Sequence, residues 1–284
     1  MDHTYRLVIA CPDRVGIVAK VSNFLSTYNG WITEASHHSD NQSGWFFMRH
    51  EIRASSLPFG LEQFRAAFDP IAKEFDMRWQ VTDSARPKRV LLMCSKESHC
   101  LFDLLHRWHS KEINAEIVGV ISNHQDLRRI VEWHDIPFHF IPVTAETKAE
   151  AFAETTKLFE HYSADVVVLA RYMQILPAEL CERYSGQIIN IHHSFLPSFA
   201  GAKPYHQAYS RGVKLIGATC HYVTQDLDEG PIIEQDVMRI NHSDSIDDMV
   251  RLGKDVEKNV LARGLRSHIE DRVIIHENKT VVFA

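Results

Sequence analysis

Residues 165–170, with the sequence DVVVLA, constrain the fold more than any other stretch of the chain. A run this continuously apolar has no polar face, so it predicts a strand covered on both sides, as central strands of parallel sheets are. Predicted strands and helices alternate around it from residue 89 onward. This alternation indicates an α/β fold with a doubly wound, mostly parallel sheet, in which ligands bind beyond the carboxyl ends of the strands.

Hydrophobic periodicity predicts the individual elements of this part of the chain. The strands at 215–223 and 231–239 are expected to pair antiparallel, and residues 273–283 are expected to form a hairpin that turns at Asn278. The remaining predicted elements are strands at 89–94, 117–122, 137–143, 165–170 and 187–191, and helices at 100–108, 125–134, 148–162 and from 245 onward.

The first 82 residues show a different order of elements, β-α-β-β-α-β, which is typical of a ferredoxin-like fold. Residues 83–88, DSARPK, are polar and contain a proline, which is typical of a linker. The predicted domains are therefore 1–82 and 89–284, joined by 83–88. The expected elements of the first domain are strands at 6–11, 31–39, 45–53 and 77–82, and helices at 16–28 and 61–75.

Residues 11–25, CPDRVGIVAKVSNFL, resemble the ACT domain, a ferredoxin-like regulatory module. The resemblance implies an amino-acid effector, such as glycine or methionine, at the turn that contains Asp13, Gly16 and Ile17. Free N–H groups at a helix N-terminus suit a carboxylate. The residues alone allow a simpler interpretation, in which Asp13 caps the helix and Gly16 permits close packing. ACT domains often pair through edge strands, so the resemblance also implies a homo-oligomer.

Composition excludes several classes of function. A net charge of −6 argues against a general nucleic-acid binder. No apolar run approaches the ~20 residues that span a bilayer, and the N-terminus has no signal-peptide pattern. The five cysteines are odd in number and scattered, so a disulfide framework is not expected. These features indicate a cytoplasmic protein without a membrane partner.

Chemically active side chains follow the predicted strand at 187–191. Residues 190–199 read NIHHSFLPSF, and strand alternation places Asn190 and His192 on the same face. An amide donor beside an imidazole can polarise a carbonyl and stabilise the oxyanion that forms when the carbonyl is attacked. A carboxylate from the acidic loop 226–229 could orient the imidazole and accept a proton from water.

Residues of this region also suggest two other kinds of site, a zinc site and a serine hydrolase site. Four histidines could bind zinc, but none of them shows a tight ligand spacing, so no metal is expected. A hydrolase with Ser194 as the nucleophile would need a G-x-S-x-G elbow, which the sequence around Ser194 lacks. The four histidines are His192, His193, His206 and His221.

The motif at 190–199 and residues 217–233, GATCHYVTQDLDEGPII, resemble the folate-dependent formyltransferase family. The resemblance covers nearly all of residues 88–284. It implies that the catalytic residues are Asn190, His192 and Asp228, the last of which stands seven positions after His221. The family's folate pocket implies substrate-binding roles for Tyr172, Met173, Leu176, His221, Thr224, Gln225 and Asp226.

The loop after the strand at 89–94 distinguishes members of this family. Members that formylate a phosphorylated amine have a glycine-rich loop here, whereas residues 94–100, CSKESHC, contain no glycine and carry Glu97. Together with the ACT-like domain, the resemblance implies hydrolysis of 10-formyltetrahydrofolate to tetrahydrofolate and formate, with no cofactor besides the reduced folate. The alternatives are transfer of the formyl group to an unphosphorylated amine, and a folate or amino-acid sensor without turnover.

Overall fold

The computed structural model of the protein describes residues 3–197 and 204–284. The chain divides into two compact units. The first comprises the described residues up to Pro87 together with Glu270–His276 and Val281–Ala284. The second comprises the described residues of Lys88–Ile269 together with Glu277–Thr280.

The first unit has the ferredoxin-like order predicted for it. Its sheet has the strand order β2-β3-β1-β4, and every neighbouring pair in it is antiparallel. A 3₁₀ turn at Ala54–Ser56 connects β3 to α2. The elements are β1 (Thr4–Pro12), α1 (Ile17–Thr27), β2 (Ile32–Asp40), β3 (Trp45–Arg53), α2 (Leu61–Glu74) and β4 (Arg78–Asp83).

Both helices of the first unit bury an apolar face against this sheet. Phe24 of α1 meets Phe64 and Phe68 of α2 edge to face, with ring centroids 5.4 and 5.3 Å apart. Such edge-to-face pairs add stability beyond the burial of apolar area. The helix α1 ends where the sequence predicts, since Asn29 adopts a left-handed conformation with φ 58°.

The C-terminal hairpin consists of β12 (Val273–His276) and β13 (Lys279–Val282), and it turns at Asn278 as predicted. The first unit contains most of this hairpin, whereas the predicted boundaries assigned all of 89–284 to the second domain. The physical reason is an apolar patch on the sheet face opposite α1 and α2, which Ile274 and Phe283 cover. Sequence periodicity does not show which partner covers such a face.

The second unit is the α/β part of the chain, and its fold class is confirmed. None of the helices in the described ranges is long and apolar enough to cross a membrane. Its elements are β5 (Lys88–Cys94), α3 (His99–His109), β6 (Ala115–Ser122), α4 (Arg128–Trp133), β7 (Phe138–Phe140), α5 (Lys148–Tyr162), β8 (Val166–Leu169), α6 (Ala178–Arg183), β9 (Ile188–His192), α7 (Pro204–Arg211), β10 (Leu215–Tyr222), β11 (Ile232–Arg239) and α8 (Ile246–Ile269).

These strands form a seven-stranded sheet with the order β11-β10-β9-β8-β5-β6-β7. The five strands from β9 to β7 are mutually parallel, and β10 and β11 are antiparallel, as predicted. All four residues of β8 are buried, which agrees with the expectation from its apolar sequence. The edge strand β7 is shorter than predicted, and Pro142, which cannot donate to a ladder, follows it closely.

The order of the strands in this sheet positions the functional site. The chain moves outward from β5 through β6 to β7, then crosses back to β8 on the other side of β5. Ligands of doubly wound sheets bind beyond the carboxyl ends of the strands where the order reverses. The loops after β5 and β8 leave the sheet at this point. The last two residues of the motif 190–199 lie outside the described residues.

Candidate active site

A cavity of about 630 Å³ opens at the carboxyl ends of the central strands in the second unit. Its wall is formed by the segment after β8, by β9, by the loop between β10 and β11, and by α8. All ten residues that the resemblance implies for catalysis and substrate binding line this cavity: Asn190, His192, Asp228, Tyr172, Met173, Leu176, His221, Thr224, Gln225 and Asp226.

The strand β9 presents Asn190 and His192 on one face, as its alternation predicts. Its neighbour β10 runs antiparallel to it and pairs His221 directly with Asn190. Directly opposed side chains in an antiparallel pair lie close together. Consistently, Nδ2 of Asn190 lies 3.2 Å from Nε2 of His221.

His221 determines how the amide of Asn190 is oriented. Its Nδ1 lies 2.9 Å from the carbonyl oxygen of Tyr222, which can only accept, so this nitrogen carries the proton. Burial lowers the pKa of His221, which favours the neutral ring with a lone pair on Nε2. Nδ2 of Asn190 therefore donates one hydrogen to His221 and keeps a second for a ligand.

Asp228 binds the imidazole of His192 from the loop between β10 and β11. Its Oδ2 lies 3.2 Å from Nδ1 of His192, and this hydrogen bond lowers the pKa of Asp228 although burial opposes ionisation. The backbone at Asp228 is left-handed, with φ 59°. The loop approaches β10 closely because residue 230 is glycine, where a Cβ would lie 1.8 Å from the carbonyl oxygen of Tyr222.

The other ring nitrogen of His192 is available to a ligand. Nε2 is buried and has no hydrogen-bond partner among the described residues. When His192 is protonated, this nitrogen is a second N–H donor beside the free hydrogen of Asn190. The site therefore combines two donors with a carboxylate, an arrangement that can bind a carbonyl oxygen and activate water.

The ring of His193 stacks on His192, with centroids 5.2 Å apart and planes inclined by 23°. Burial and then the charge of Arg171 lower the pKa of His193 to about 4, so the ring is neutral. The guanidinium of Arg171 donates a hydrogen bond to Nδ1 of His193. The sequence indicates no catalytic part for His193, and in the structure its ring lies against that of His192.

Sequence reasoning missed a buried carboxylate on the cavity wall. Glu257 of α8 is 1% exposed, and it accepts hydrogen bonds from Nε2 of His99 at 2.8 Å and from the hydroxyl of Tyr205 at 2.9 Å. Nε of Arg171 lies 3.5 Å away. Burial opposes ionisation of Glu257, but the bond from His99 and the charge of Arg171 hold its pKa below the ordinary value.

A signal for this carboxylate does exist in the sequence. Glu257 follows Val256 and precedes Val260 on the apolar face of α8, and a charge on such a face is a sign of a paired, buried group. Gly253, one turn earlier, gives a second signal. A Cβ at Gly253 would lie 1.9 Å from the hydroxyl of Tyr205, so the glycine leaves room for that ring.

His99, Cys100 and Glu257 are near enough to hold one metal ion, since their ligand atoms lie within 4.8 Å of one another. Their chemistry does not suit a cation. Burial raises the pKa of the Cys100 thiol well above its ordinary value, and a protonated thiol is a poor ligand. The guanidinium of Arg171 already neutralises the carboxylate.

The first unit contains the three residues predicted to bind an effector. Asp13 is exposed, and it accepts a hydrogen bond from Ser39 instead of capping α1. Gly16 precedes the helix with φ 101°, a conformation that favours glycine. The side chain of Ile17 is 2% exposed and belongs to the core, so only its backbone could meet a ligand.

Comparisons with known proteins agree with this architecture. The family model described as formyl transferase matches residues 88–265. A protein of Bacillus subtilis (strain 168) named formyltetrahydrofolate deformylase is 48% identical over 98% of this chain and 93% of its own length. The match to that relative therefore includes the first unit.

Solved structures show the same relationship. The crystal structure of a formyltetrahydrofolate deformylase from Pseudomonas syringae pv. tomato str. DC3000 is 72% identical, has a TM-score of 0.99, and matches 100% of this chain and 95% of its own. A phosphoribosylglycinamide formyltransferase from Anaplasma phagocytophilum is 28% identical with a TM-score of 0.64. That match covers 70% of this chain and 96% of the transferase.

Proposed function

We propose that this chain, which belongs to the formyl transferase family and within it to the formyltetrahydrofolate deformylases, hydrolyses 10-formyltetrahydrofolate to tetrahydrofolate and formate. One observation carries the chemistry. Asn190 and His192 direct two hydrogen-bond donors into the same cavity, and Asp228 binds the opposite side of the His192 ring at 3.2 Å. The experiment is a formate assay with purified protein, 10-formyltetrahydrofolate and no added amine.

The formyl oxygen is bound by Nδ2 of Asn190 and by Nε2 of protonated His192. Both donors strengthen their hydrogen bonds as negative charge develops on that oxygen, so they lower the barrier to attack. His221 supports this by holding the amide so that its nitrogen, and not its oxygen, faces the substrate. The carboxylate of Asp228 holds the ring of His192 in place from the side of Nδ1, at 3.2 Å.

Asp228 also receives the proton of the attacking water. Its Oδ1 lies 3.8 Å from Nε2 of His221, whose lone pair already accepts from Asn190, so Oδ1 remains available to water. The water oxygen bonds to the formyl carbon while its proton passes to Asp228. The bond from that carbon to N10 then breaks and N10 takes the proton that Asp228 received, so tetrahydrofolate leaves with formic acid, which ionises to formate. The proposed mechanism uses no cofactor besides the folate substrate, because Asn190, His192 and Asp228 supply the two donors and the proton acceptor.

The pterin and the adjoining ring of the folate are proposed to lie against the segment after β8 and the loop at 224–228. Met173, Ile175 and Leu227 are 56%, 59% and 63% exposed at the cavity, and such apolar side chains suit a flat aromatic ligand. The hydroxyl of Tyr172 is buried without a hydrogen-bond partner among the described residues. Burial raises its pKa to about 12, so it is a donor for a polar group of the substrate.

Replacing Met173 by serine tests this binding surface. We expect KM to rise about fivefold with little change in kcat, because apolar area that the substrate would cover is lost. The matched control is Leu215→Ser, since Leu215 is 46% exposed and lies outside the cavity lining. Steady-state rates of formate release give both constants, and an unchanged KM in Met173→Ser would place the substrate elsewhere.

The proposed protonation states predict the response to pH. Hydrogen bonding from His192 lowers the pKa of Asp228, and burial lowers the pKa of His221. Asp228 therefore stays ionised, and His221 stays neutral, at pH values below the ordinary pKa of each group. We therefore expect kcat not to fall between pH 7.5 and 6. An acid limb centred near the ordinary histidine pKa of ~6.5 would contradict the assignment.

The first unit is proposed as a regulatory ACT-like domain that binds glycine or methionine near Asp13, Gly16 and the backbone of Ile17. Among the described residues, the edge strand β2 pairs with β3 alone and leaves its other side to a second copy, so a homo-oligomer in the cytoplasm is proposed. Addition of each amino acid to the formate assay tests the effector. A response that Gly16→Val abolishes supports the site, and one that persists in this variant places the effector elsewhere.

A further inference from the structure

One part of the cavity wall is charged and takes no part in the proposed hydrolysis. Nζ of Lys254 lies 2.7 Å from Oε2 of Glu97, and Arg171 faces Glu257. His99 lies between the two carboxylates, with Nδ1 3.7 Å from Glu97 and Nε2 2.8 Å from Glu257. Each lysine and arginine of the described cavity lining therefore already has a carboxylate partner.

The position of Glu97 in the fold indicates a function for this group of charges. Glu97 lies in the loop between β5 and α3, beside the point where the strand order reverses. In doubly wound folds such a loop commonly binds a phosphate, because the N-terminus of the following helix offers free N–H groups and a favourable dipole. The related phosphoribosylglycinamide formyltransferase has the same catalytic fold and, by its name, formylates a phosphorylated compound.

We infer that Glu97 is a specificity-determining residue, whose carboxylate occupies the anion position before α3 and engages Lys254, so that an acceptor carrying a phosphate is repelled. The inference rests on the proposed function and names the residue that restricts this site to water. The hydrogen bond from Lys254 lowers the pKa of Glu97, so its charge is present at neutral pH. A phosphate at this position would therefore meet a negatively charged group.

The inner carboxylate keeps this wall fixed. Both oxygens of Glu257 are occupied, one by His99 and the other by Tyr205. The ring of Tyr205 packs against α8 at Gly253, where even one added carbon would collide with its hydroxyl. Opening this wall for an acceptor would therefore leave a buried charge without its partners, which is strongly unfavourable.

The test is Glu97→Gln, assayed for formate release with increasing inorganic phosphate at constant ionic strength. Phosphate should inhibit the parent enzyme only weakly, whereas the variant should have an inhibition constant about tenfold lower than the parent, because Lys254 is left unpaired. Each protein is compared with itself without phosphate, so a change in basal rate does not affect the result. If the variant is no more sensitive than the parent, the inference is overturned.

Two further variants separate a local effect from a general effect of charge. Glu160→Gln removes a glutamate that pairs with Arg183 at 2.6 Å outside the cavity lining and whose side chain is 49% exposed, against 43% for Glu97, and it should be no more sensitive to phosphate than the parent. Glu97→Gln combined with Lys254→Met should lose the new sensitivity. If Glu160→Gln becomes sensitive, or the double variant stays so, Glu97 is not the determinant. A parent enzyme that releases no formate would instead refute the proposed function.

Discussion

Replacing Asp228 by asparagine should lower kcat for formate release by about 100-fold or more, the usual effect of losing a general base. An amide in this position cannot accept a proton from water, and it gives Nδ1 of His192 a neutral partner in place of an anion. KM should change little, because the side chain of Asp228 contacts the imidazole of His192 and is not one of the apolar side chains proposed to cover the folate rings. Steady-state formate release with saturating 10-formyltetrahydrofolate measures the effect.

Glu229→Gln is the matched control for this experiment. Glu229 is the next residue in the same loop, is exposed, and does not line the cavity, so the same loss of charge should leave kcat within about twofold of the parent. Thermal unfolding of both variants separates loss of chemistry from loss of structure. Near-normal turnover in Asp228→Asn would remove this residue from the mechanism.

The sequence could bring two of the proposed catalytic residues together because their placement depends on a local pattern. Asn190 and His192 stand two apart at the end of an apolar strand, and alternation alone places them together. Asp228 depends less on a local pattern, because only the family resemblance distinguishes it from the other acidic residues of its loop. Its position depends on a left-handed backbone and on Gly230, whose effect appears only when the loop is folded against β10.

The charged wall at Glu257 could not be located in the same way. Its partners come from α3, from the segment after β8 and from α7, which are far apart in the sequence. Hydrophobic periodicity predicts the apolar face of a helix, but it does not predict which charged residue on that face has a partner. The C-terminal hairpin has a similar explanation, since its two strands were predicted correctly, whereas the sheet face that they cover is a tertiary property.

The orientation of the Asn190 amide determines whether the site offers a donor to the formyl oxygen in the proposed reaction. His221 accepts from Asn190 because its Nδ1–H is committed to the backbone, which leaves a lone pair on the other nitrogen. Its burial keeps the ring neutral, so the acceptor persists at neutral pH. The second hydrogen of the amide is then left for the cavity that Asn190 lines, where the formyl oxygen is proposed to bind.

Asn190→Asp should therefore reduce kcat by about 100- to 1000-fold, the cost of removing one donor from an oxyanion site. The aspartate is nearly the same size, but it replaces the donor with a negative charge that repels the oxyanion and the lone pair of His221. Single-turnover measurement of formate release isolates this step from product release. Asn259→Asp, an exposed site on α8 outside the cavity lining, is the control and should retain full activity. A loss below about tenfold would show that His192 stabilises the oxyanion without Asn190.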